Sequence, residues 1–181
     1  MAERIDRILD VHGHLGNILE AGGGALIGKQ GVAKRRVIDP VSLSERGLHA
    51  GPPALGKLLY RLGRRWVTRA ERARNATATL ENLSRSLDAS GISHTVALPI
   101  PPYVGFDDLA QAAAKEPRLL PFTGVDYTRD GDLRPRLDAD VAAGARGLKL
   151  HPIIQNVPLT SARTLAAVEA FARHGLPVLF H

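Results

Sequence analysis

Arg7-Ile8-Leu9-Asp10-Val11 leads directly into His12-Gly13-His14. A short apolar, β-branched run that ends in a polar cluster reads as a strand buried on both faces, with its C-terminal end opening onto a site. Residues i and i+2 of a strand point the same way, so His12 and His14 project together. Gly13 keeps the opposite face bare, as the close approach of a packed helix would require. Four further runs have the same character: Ser93–Ile100, Arg118–Asp126, Ala145–His151 and Pro177–His181, each short, nearly continuous in apolar residues and bounded by Gly or Pro.

Helical patterns separate them. Ala73, Ala76, Leu80, Leu83 and Leu87 recur at three- and four-residue spacing before Gly91. Phe106–Lys115 opens on Asp107 and Asp108 and stops before Pro117. Arg136–Ala143 halts at Gly144. Leu159–His174 carries a Thr160/Ser161 cap signal, with Leu165, Val168 and Phe171 on one face and Gly175 as terminator. Strict β–α alternation predicts parallel strands joined by right-handed crossovers, which a doubly wound sheet and a barrel both satisfy. His181 closes a buried strand with nothing after it. The expectation is therefore a longer protein, with about the first five β units of a (β/α)8 TIM-barrel α/β fold present in residues 1–181. Residues 17–68 form an irregular insertion that would overhang the barrel mouth as a lid.

Composition narrows the classes. The 181 residues include no cysteine, which excludes a disulfide framework, a thiolate metal site and a cysteine nucleophile. No apolar leader or membrane-length run occurs, so a cytoplasmic protein that does not cross a membrane is expected. Lys and Arg outnumber Asp and Glu 24 to 18, for a net charge of +6, which suits anionic substrates.

Three places can carry chemistry. His12 and His14 form a chelating pair for zinc or a similar divalent ion. In Gly147-Leu148-Lys149-Leu150-His151-Pro152, Lys149 and His151 share one face of a strand. A lysine there is costly to bury unless its charge is paired, for example with Asp126, or removed. The alternatives are a carbamylated, metal-bridging Lys149 and one that binds an anionic substrate. His181 ends another strand, at the same end of the parallel sheet.

With DVHGH (10–14), LDASGISHTVALP (87–99), GLKLHP (147–152) and LPVLFH (176–181) in this order, the chain resembles the amidohydrolase superfamily of metal-dependent (β/α)8-barrel enzymes. It is most similar to the amidohydrolase-related branch that holds aminocarboxymuconate-semialdehyde decarboxylase-like and lactonase-like members. The resemblance implies metal ligation by His12, His14 and His181, a catalytic role for Lys149 on the strand that supplies the bridging lysine of binuclear members, and substrate binding by His151. It also implies a sixth-strand His and an eighth-strand Asp that this sequence does not reach, so the fragment alone is expected to be inactive. The implied activity is hydrolysis of an amide, ester or lactone by metal-activated water, with zinc as the ion; a metal-dependent decarboxylase (lyase) on the same barrel and a non-catalytic fragment are the alternatives. The partner is a small molecule, and a homodimer is compatible with the reading.

Two motifs point elsewhere. Gly23–Lys29 matches G-x-x-x-x-G-K, yet Gln30 stands where Ser or Thr should hold magnesium, so a flexible loop is expected. The basic stretch around Arg64, Arg65, Arg69, Arg72 and Arg74, with Tyr60 and Trp66, raises nucleic-acid binding. A solvated helix face accounts for it more simply, with Leu55, Leu58, Leu59, Leu62 and Trp66 on the apolar side.

Overall fold

Among the described residues of the computed structural model, every strand-to-strand pairing is parallel. The structure describes residues 7–18, 53–129 and 131–181. In chain order these give β1 (Leu9–Gly13), α1 (Pro53–Asn75), α2 (Leu80–Ser90), β2 (His94–Ala97), α3 (Phe106–Ala113) and β3 (Leu119–Pro121). Then follow β4 (Thr123–Gly124), α4 (Arg134–Ala142), β5 (Leu148–Leu150), α5 (Pro152–Gln155), α6 (Ala162–Ala172) and β6 (Val178–Phe180). Strands β1-β2-β3 form one sheet and β4-β5-β6 another.

The third apolar run joins the two sheets. The sequence reads Arg118–Asp126 as one strand, whereas the chain divides it at Phe122. Phe122 N–H still donates to Ala97 O on the β2 side at 3.0 Å, while Thr123 N–H donates to Gly147 O toward β5 at 2.8 Å. Pro121 has no N–H to give, but its carbonyl accepts Arg146 N–H at 2.8 Å, so the backbone here serves the β2 and β5 sides alternately. Gly147 leaves room for the Phe122 ring, since a Cβ there would lie 2.3 Å from it. The result is a curved parallel wall of five β units, the open arc of a TIM-type barrel.

Two layers follow from strand alternation. On the outer face, Ala97 and Leu119 pack against Leu80, Leu109 and Ala112, and Leu148 and Leu150 pack against Leu137, Ala167 and Phe171. On the inner face Val96, Leu98 and Phe122 cluster together. β1 and β6 each pair on one side only and keep Leu9, Val11 and Phe180 exposed, whereas β5 is wholly buried.

The pattern from Ala73 to Leu87 is two helices, where its spacing predicts one. Thr77 Oγ1 donates to Arg74 O at 2.7 Å, and Thr79 Oγ1 accepts Asn82 N–H at 3.2 Å as the cap of α2. Side-chain oxygens that satisfy backbone groups locally compete with a continuous helix and win here. Gly91 ends α2 at φ 64° and Ser161 caps α6, as read from the sequence. On α1 the side chains of Leu55, Leu58, Leu62 and Trp66 are exposed, beside a cleft lined by Arg61, Arg65, Arg69 and Arg72. The Gly23–Lys29 motif and the side chains of Leu59, Tyr60 and Arg64 lie outside the described residues.

Candidate metal and substrate site

The end of β1 is shaped by Asp10. Its pairing with β2 slips between Asp10 and Gly13, where one extra residue enters β1 as a bulge. Asp10 Oδ1 accepts the His12 N–H at 3.0 Å, giving that amide a partner two residues back. Asp10 Oδ2 accepts the buried Thr95 hydroxyl at 2.8 Å, tying the bulge to β2. Gly13 is needed for a different reason than helix packing: a Cβ there would lie 2.6 Å from Thr95 Oγ1, so strand β2 is what presses on it.

His12 and His14 meet as their spacing predicts, with their Nε2 atoms 3.1 Å apart. His14 Nδ1 lies 3.1 Å from Leu98 O, and a carbonyl only accepts, so Nδ1 carries the proton. The neutral ring then presents the Nε2 lone pair toward His12. Burial holds His14 neutral, pushing its pKa down to about 4 against the opposing hydrogen bond to Leu98. His12 is also lowered, first by burial and then by the charges of Lys149 and His181, with Asp10 opposing.

Lys149 on β5 and His151, which caps α5 just after it, come next. Lys149 is 1% exposed, and its Nζ has no hydrogen-bond partner among the described residues. The pairing with Asp126, one of the alternatives the sequence leaves open, does not form. Asp126 is turned to its own loop, accepting Thr128 N–H at 3.0 Å and pairing with Arg129 Nε at 3.1 Å. Burial alone lowers Lys149 to about 8. His151 is buried, and its Nδ1 accepts Ile154 N–H at 3.2 Å. A neutral His151 therefore carries its proton on Nε2 and offers a donor. Burial lowers its pKa, followed by the charges of His181 and Lys149.

His181 lies between the two strands' contributions, its ring centroid 4.6 Å from that of His12 and 4.9 Å from that of His151. Among the described residues, no group of three or more His, Asp or Glu side chains is closed around one point. The pair at its centre nonetheless suits an ion. Two nitrogens on one tetrahedral zinc, each roughly 2.0–2.1 Å from the metal, stand about 3.4 Å apart, close to the observed spacing. Neutral imidazoles are the donors such a borderline ion takes. A separate cleft of about 310 Å³ between the loop after β4 and α6, lined by Tyr127, Arg134 and Arg163, contains none of these histidines.

Asp10, Thr95 and the Leu98 carbonyl are the members of this site that sequence reasoning missed. An Asp two residues before the first histidine is the one local signal.

The amidohydrolase family model matches residues 9–181. The chain belongs to the amidohydrolase family. No curated protein matches the sequence. Among solved structures, the chain is similar to a probable 2-pyrone-4,6-dicarboxylic acid hydrolase from Acinetobacter baumannii with citric acid bound, at 16% identity and a TM-score of 0.52. The match covers 97% of this chain and 49% of that one, so these residues span about half the length of that structure. Its likeness is one of fold, and it agrees with an open arc of barrel. Among the described residues, no helix is long and apolar enough to cross a membrane.

Proposed function

We propose that the protein carrying this chain is a metal-dependent hydrolase, in which His12, His14 and His181 hold a divalent ion, zinc by its donor chemistry, and water attacks the carbonyl of a small amide, ester or lactone. The observation that supports this reading best is the facing Nε2 pair of His12 and His14, with the second ring oriented by the Leu98 carbonyl. Metal ligands are commonly steered in this way by a partner on the far ring nitrogen. Such an ion, when bound, lowers the pKa of its water to roughly 7 and polarises a carbonyl.

The chain's own residues supply the rest. Asp10 braces the bulge that aims His12, and His14 stays unprotonated through the neutral range, as a ligand must. Lys149 on β5 and His151 just after it bring a cation and a donor. The reading implies a small-molecule substrate and a cytoplasmic setting, with which the absence of cysteine accords.

The test incubates the protein with lactones, esters and amides in H2(18)O, with and without a chelator. The label is expected in the carboxylate product, with turnover lost to the chelator and restored by zinc. Release of CO2 without label would make it a decarboxylase, and turnover indifferent to the chelator would remove the metal from the account.

A further inference from the structure

Helix α1 is fastened to the rim of the barrel arc just beyond its C-terminal end, where Gly16 N–H, two residues past His14, donates to Ala78 O at 2.8 Å. Its sequence carries seven Lys and Arg against Glu71 alone, a net +6 that equals the net charge of all 181 residues, so the rest of the chain is neutral. That charge adjoins apolar surface. Leu55, Leu58, Leu62 and Trp66 recur at spacings of three and four, which puts them on one helical face, and they are 50% to 76% exposed. Arg61, Arg65 and Arg69 are exposed as well. They follow Leu58, Leu62 and Trp66 respectively by three residues, so each guanidinium neighbours an apolar side chain on the helix surface. A solvated face accounts for the arginines but not for the leucines. On a nucleic acid Trp66 can stack on a base, yet the leucines meet nothing there. A second copy of the same face would bring arginine against arginine. An anionic lipid surface takes both stripes: its headgroups pair with guanidinium, and the boundary below them receives leucine and tryptophan, with the arginine stems lying along it.

We infer that α1 is a membrane-docking helix that lies in the surface of an anionic bilayer, with Leu55, Leu58, Leu62 and Trp66 inserted and Arg61, Arg65 and Arg69 on the headgroups. It rests on the bilayer without crossing it. The attraction has two parts: a charge term that salt screens, and an apolar term that salt leaves in place. Neither part depends on the hydrolase reading. Because the helix is fastened beside the end of β1, docking keeps the rim that bears His12 and His14 close to the lipid surface.

Trp66 is the chain's one tryptophan, so its fluorescence reports this face alone. The experiment mixes the full chain with vesicles of phosphatidylcholine, and with vesicles in which about 30% is replaced by phosphatidylserine. Co-sedimentation and a blue shift of the Trp66 emission are expected with the anionic vesicles and neither with the neutral ones. The triple variant Arg61→Gln/Arg65→Gln/Arg69→Gln should bind about 10–100-fold more weakly. Its counterpart with Lys at the three positions keeps the charge and should bind nearly as wild type. Leu58→Ser/Leu62→Ser should weaken binding about tenfold or more. All five side chains are exposed, and circular dichroism establishes that each variant keeps the wild-type helix content. An unshifted Trp66 emission on anionic vesicles, equal binding to neutral vesicles, or undiminished binding by the glutamine variant would overturn the proposal. So would tighter binding to single-stranded RNA than to vesicles, which would make this a nucleic-acid surface. A dimer that dissociates in the leucine variant would overturn it too, making the face an interface between copies.

Discussion

A Cβ on Gly13 would stand 2.6 Å from the hydroxyl of Thr95, the same hydroxyl that donates to Asp10. The glycine between the two histidines is thus the space into which β2 fits. Gly13→Ala must push Thr95 off Asp10 or move a strand, a steric insertion that costs about 1–3 kcal/mol. Urea unfolding should show this loss. The double change Gly13→Ala with Thr95→Ser keeps the clash, whereas Gly13→Ala with Thr95→Ala should recover part of it.

Asp10 serves two donors at once. Asp10→Ala leaves the fully buried Thr95 hydroxyl and the His12 amide without their acceptor, at about 1–3 kcal/mol. Because that acceptor aims a ligand, zinc affinity should fall about 10–100-fold as well. Asp10→Asn, which keeps an acceptor oxygen, should retain most of both. Equilibrium unfolding and a chelator competition measure the two effects separately.

Stability toward acid is predicted from Glu116. Its carboxylate accepts Arg118 Nε and Nη2, each at 2.8 Å, together with the Ser84 hydroxyl, which joins the start of β3 to α2. The Arg118 hydrogen bonds, first among the causes, hold its pKa at about 2. A carboxyl depressed in the folded state contributes fully above its unfolded value near 4.5 and progressively less as pH falls toward 2. Melting temperatures between pH 6 and pH 2 should therefore drop less steeply in Glu116→Gln than in wild type, from a lower starting point.

Lys149 predicts the opposite limb. A lysine lowered from 10.5 to about 8 is bound by more protons unfolded than folded between those values, so it adds stability as pH rises through that window. Lys149→Met should melt higher than the metal-free wild type at pH 7, and the difference should shrink by pH 10.5. An equal or lower melting temperature at pH 7 would mean that the ammonium has found a partner.

Much of this was legible in the sequence because burial writes itself into composition. β5 is apolar on its outer face at Leu148 and Leu150 and polar at Lys149, with His151 just beyond its end, and the structure keeps the two leucines in the outer core. The proximity of His12 and His14 followed from their spacing alone. What was not legible depends on which strand edge meets which. The division of Arg118–Asp126 at Phe122 is set by two neighbouring strands competing for one backbone. The bulge at His12 needs Thr95, 85 residues away from Asp10, to hold it. Asp126 reads as a partner for Lys149 by type, yet local donors at Thr128 and Arg129 reach it first.

Zinc binding by the metal-stripped protein, set against its His12→Ala/His14→Ala double variant in a competition titration, addresses the central claim most directly. The account predicts that wild type takes up zinc and that the folded double variant loses more than about 100-fold in affinity. Equal zinc affinity in the two proteins would contradict it.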